Sequence, residues 1–94
     1  MSEINIECGE VVDISAVTDL YQHLSAALEQ EGSIGLNAAA IERIDAAALQ
    51  MFACFFQEVK KRNRDIYWKT PTEALLRSAN LLGMKPVLCL AGEI

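Results

Sequence analysis

The 94-residue chain predicts a single α/β domain on a small mixed sheet, and three observations carry the α/β expectation. Ile4, Ile6 and Cys8 alternate with Asn5 and Glu7, the period of a half-buried strand. Ile34-Gly35-Leu36 is apolar without a polar side, as in a central strand buried on both faces. Two longer stretches show helical period: Val17, Leu20, Tyr21, Leu24, Ala27 and Leu28, then Leu49, Phe52, Ala53, Phe56 and Val59. Strands alternating with helices give an α/β layer with crossover connections.

The elements follow in order. Gly9-Glu10 is a turn signal, and Val11-Val12 with Ile14 form a short second strand able to pair antiparallel with the first. Asp13 or Ser15 opens the first helix, whose buried stripe runs from Val17 to Leu28, and Gly32 is its left-handed stop. His23 lies on the solvent side of that helix. Gly35 marks a close approach of another backbone, and residues 38–43 carry the chain across the sheet end to Asp45. Asp45 is the expected N-cap of the central helix, its carboxylate accepting from free amides and complementing the helix dipole. Ile66-Tyr67-Trp68-Lys69 is a third, aromatic-rich parallel strand. Thr70-Pro71-Thr72-Glu73 predicts a capping box with Thr70 as N-cap and proline at the first helical position. Leu75, Leu76, Ala79 and Leu82 turn that helix inward, and Gly83 ends it. Val87-Leu88-Cys89-Leu90 fits either a strand or a final helical turn.

Composition narrows the function classes. A hydrophobic fraction of 52% and a charged fraction of 22% are those of a folded domain. A chain of this size buries about 60% of its unfolded surface. No apolar run approaches a membrane span and the N-terminus has no basic, apolar leader, so a cytoplasmic protein without membrane insertion is expected. The net charge of −5 opposes nucleic-acid binding, and the basic cluster Lys60, Lys61, Arg62 and Arg64 reads as cations finishing a helix. Three cysteines without CxxC spacing point to reduced thiols, with Cys8 and Cys89 in core positions and Cys54 accessible.

The outward side of the central helix is unusual. Gln50, Gln57, Glu58 and Lys61 make it polar, yet Ala47, Met51, Cys54 and Phe55 lie along or beside it. Small apolar residues at a helix start, followed by a flexible thioether and an aromatic ring, suit docking against another protein. Phe55 also fits a place under the first helix.

Ile44-Asp45-Ala46-Ala47-Ala48-Leu49-Gln50 resembles the D-S-S/T-G-L segment of STAS domains, the anti-sigma-factor-antagonist family. The resemblance extends through Pro71-Thr72-Glu73-Ala74-Leu75-Leu76 and Leu81-Leu82-Gly83-Met84, in order and spacing, over nearly the whole chain. It implies a single mixed sheet of four to five strands with helices chiefly on one face, and a non-catalytic interaction module. Its partner would dock at Asp45, Ala46, Ala47, Gln50, Met51, Cys54 and Phe55. That partner would be a kinase-like anti-sigma factor, the ATPase of a lipid-transport ABC complex or a chemotaxis protein, with the domain itself a monomer or weak dimer. Where phosphorylated members carry the acceptor hydroxyl this chain has Ala47, and the glycine position is Ala48, so the resemblance implies a docking surface without the usual phosphorylation switch.

Enzyme chemistry finds little support in these residues. There is one histidine, and no GxSxG elbow, Walker loop or GxGxxG follows a strand. Asp45 has no neighbouring acidic pair to build the magnesium site of a phospho-accepting aspartate. No cofactor and no metal are expected.

Overall fold

The computed structural model describes residues 3–90. Five short strands and three helices follow in the order β1 (Glu3–Glu7), β2 (Val11–Val12), α1 (Ile14–Leu28), β3 (Ser33–Asn37), β4 (Arg43–Ile44), α2 (Ala46–Lys61), β5 (Ile66–Lys69) and α3 (Glu73–Leu81). The α/β class is as the sequence indicates. The pairing is not. β1, β3 and β5 form one parallel ladder with β3 in the centre, and β2 and β4 form a second, also parallel, so no described pair is antiparallel.

β2 leaves β1 at Gly9, whose φ of 87° swings the chain out of the first ladder. The Glu10 carbonyl then accepts from Glu42 N and Arg43 N, and Asp45 N donates to the Val12 carbonyl at 3.1 Å. Val12 is thereby fully buried beside Ile44, with α1 packed on β2 and α3 on β4. Arg43, expected as the end of the connection, therefore forms with Ile44 the short strand β4. Ile14, expected at the end of β2, instead begins α1 and is exposed.

The larger ladder has two unlike faces. Ile4, Ile6, Ile34, Leu36, Ile66 and Trp68 point to the core, while Glu3, Asn5, Glu7, Asn37, Tyr67 and Lys69 occupy the alternate positions. Helices thus cover one face. On the other, Lys69 Nζ pairs with Glu3 at 3.2 Å and donates to Asn5, while Asn37 Nδ2 donates to the Glu7 carboxylate. Gly35 lies beneath these side chains: an added Cβ would meet Glu3 Oε2 at 2.6 Å and Lys69 Cε at 2.8 Å. The close approach at Gly35 is therefore by side chains, not by another backbone.

The core forms where α2 crosses the sheet. Leu49, Phe52, Phe56 and Val59 are fully buried, as their spacing requires, and Trp68 receives Phe52 edge-on at 5.1 Å and Phe56 stacked at 5.7 Å. From α1, Leu20, Leu24 and Ala27 complete it, whereas Tyr21 is 60% exposed. Tyr21 follows Leu20 by one residue, which turns its ring about 100° away from the Leu20–Leu24–Ala27 line. α1 ends at Leu28, ahead of Gly32, whose φ is 121°.

The ends of α2 and α3 close alike. After α2, Asn63 at φ 57° lets Arg64 N donate to Val59 O and Asn63 N to Lys60 O. After α3, Gly83 at φ 67° does the same, with Met84 N on Ala79 O and Gly83 N on Asn80 O. Both are Schellman closures. The segment left open between strand and helical turn is a turn, closed by Leu88 N on Met84 O and Leu90 N on Lys85 O. Leu88 and Leu90 take its inward positions, and Trp68 Nε1 donates to Leu88 O at 2.9 Å. Cys89, at φ 60°, is exposed rather than in the core. Leu82, the C-cap residue of α3, is likewise 48% exposed instead of inward.

The N-cap of α3 is Thr72, two residues later than the sequence indicates. Its hydroxyl donates to Ile41 O at 2.8 Å and accepts from Leu75 N at 3.3 Å. Thr70 takes a positive φ of 52°, a conformation that cannot serve as an extended cap.

Candidate functional site

Three helix N-termini gather around the small β2–β4 ladder. Asp13 follows Val12 and Asp45 follows Ile44, and those two strand ends are paired. Each aspartate caps the helix it precedes: Asp13 Oδ1 accepts from Ser15 N at 3.0 Å, Asp45 Oδ1 from Ala48 N at 2.9 Å. Hydrogen bonds from the Ser15 hydroxyl and backbone hold the Asp13 carboxyl below its ordinary value. Thr72, through Ile41 O, ties the start of α3 to the loop before β4. Both charges complement the positive ends of α1 and α2.

The first turn of α2 carries the alanines. Ala46 is exposed, Ala47 half-buried and Ala48 fully buried. Along the outward side Gln50 and Cys54 are exposed and Met51 is half-buried. Phe55 is only 7% exposed: α1 covers it, so it is not the free aromatic anchor that its spacing from Met51 indicates. Asp45, Ala46, Ala47, Gln50, Met51 and Cys54 thus share one surface, with Phe55 at its inner margin.

That margin is a groove of about 600 Å³ between α1 and α2, in which Tyr21, Ser25 and Leu28 face Met51, Cys54 and Phe55. The α1 side of this surface escapes a reading confined to α2. The sequence does hold a signal for it, since a tyrosine at the margin of an apolar stripe carries a ring that tolerates partial exposure. At one end Glu58 pairs with Arg62 at 3.1 Å and with Lys61 at 3.9 Å, so these two cations act locally. Arg64 does something else. Its guanidinium donates to Ala27 O, Leu28 O and Gly32 O, closing the C-terminus of α1 rather than that of α2.

Among the described residues no group of three or more His, Cys, Asp or Glu side chains is placed to hold a metal ion, and no helix is long and apolar enough to cross a membrane. His23 is exposed on α1, beside Ile4, Asn5 and Gln30. Cys8 is buried, and desolvation, with Glu7 nearby, pushes its thiol up to about 12.

The described residues form a small α/β domain with one helix-covered face, capped helix starts beside the β2–β4 ladder and a half-apolar outer surface on α2. The family model described as "Mlab, STAS domain" matches residues 2–90, nearly the full length, and the chain belongs to the STAS family. STAS domains are generally non-catalytic modules that bind other proteins. No curated protein sequence matches the chain.

Proposed function

We propose that this domain is a cytoplasmic regulatory module of the anti-sigma-antagonist type that docks a protein partner on the start and outward side of α2, with no phosphorylation switch at that helix start. The observation that carries the reading is the set of small or half-exposed side chains there. Ala46 and Ala47 follow the Asp45 cap, and Gln50, Met51 and Cys54 continue the surface one and two turns on. Alanine at position 47 leaves room for a partner backbone and offers no hydroxyl to modify.

Ala47→Glu tests it. Glutamate is a good helix former and favourable near a helix N-terminus, so the fold should survive. A carboxylate desolvated in the interface should weaken binding by about 3 kcal/mol, roughly a hundredfold. His23→Glu, on the β1 side of α1, adds the same charge away from α2. Affinity capture from the native host followed by mass spectrometry should show one partner retained by the wild type and by His23→Glu and lost by Ala47→Glu. The captured domain should carry no phosphate near the start of α2. Its partner, whether an anti-sigma kinase, a transporter ATPase or a chemotaxis component, would assign the pathway. Equal capture by Ala47→Glu at an unchanged melting temperature would place docking elsewhere.

A further inference from the structure

We draw no further inference here: the strongest candidate, the groove between α1 and α2 lined by Tyr21, Leu28, Met51 and Phe55, carries nothing because its Glu58 is already paired with Arg62 and nothing in the structure shows what covers it.

Discussion

Thr72 does two jobs with one hydroxyl, capping α3 and satisfying the Ile41 carbonyl on a nearly fully buried residue. Thr72→Ala should therefore cost about 1–2 kcal/mol in denaturant melts, and Thr72→Ser should recover most of it. Thr70→Ala, with no cap to lose, should change stability by less than about 0.5 kcal/mol. The reverse pattern would put the cap at Thr70. Of the three caps, Asp45 is legible in the sequence as an aspartate ahead of a helical stripe, and the sequence narrows the cap of α1 to Asp13 or Ser15, of which the structure selects Asp13. The third is not legible. Thr70 and Thr72 both precede helical residues, and what separates them is a contact with Ile41, 31 residues away. Cys8 gives a test of a different kind. Its folded pKa lies above the ordinary 9.0, at about 12, so the folded protein keeps a proton that the unfolded chain releases between those values. Stability from this group is complete below pH 9 and declines as pH rises from there toward 12. Cys8→Ala should fall less steeply than the wild type across that window in urea melts. Parallel slopes would show that the thiol is not the group responsible.

At the scale of elements, hydrophobic period locates α1, α2 and α3, while punctuation misplaces the end of α1 and the start of α3, and the central position of β3 follows from its continuous apolar run. The misassigned pieces are those decided by neighbours remote in the chain. Val11-Val12 holds no information in two residues about which strand it will join, and the turn at Gly9 directs it to β4. Phe55 and Tyr21 sit on the margins of their helical stripes, where the closeness of α1 to α2 sets exposure; the structure buries one and leaves the other out. Arg64 is the sharpest case. Next to Lys60, Lys61 and Arg62 it looks like one more charge at the end of α2, yet it bonds three carbonyls at and beyond the end of α1. A planar guanidinium can serve several acceptors that a single ammonium cannot reach together. Arg64→Lys should therefore destabilise the domain by about 1–2 kcal/mol. The increase in amide hydrogen exchange should concentrate at Glu29 and Gln30, which donate to Ala26 O and Ala27 O at the same helix end. Unchanged exchange there, with loss elsewhere, would mean that Arg64 does not hold α1.

Over the whole molecule, the division between a helix-covered face and a polar face decides how sheet substitutions behave. Gly35 sits in the central strand on the polar face, so its neighbours are the outer ends of Glu3 and Lys69 rather than packed core. An alanine there would push both aside, because 2.6 and 2.8 Å are closer than a Cβ tolerates. Those side chains are about one-third exposed and free to move toward solvent, and their ion pair is of the exposed kind, worth about 0–1 kcal/mol. Against that loss, replacing glycine within a strand recovers about 0.5–1 kcal/mol of backbone entropy. The two effects nearly cancel, so Gly35→Ala should shift stability by less than about 0.5 kcal/mol. Removing the obstruction should reveal the hidden gain. In a Glu3→Ala, Lys69→Ala background, the same Gly35→Ala change should stabilise the domain by about 0.5–1 kcal/mol. A loss in both backgrounds would show that this face is packed against something in solution. Dependence of that loss on protein concentration would then identify the covering surface as a second copy of the chain. A gain confined to the double-alanine background is the outcome expected of a sheet that has helices on one side and water on the other.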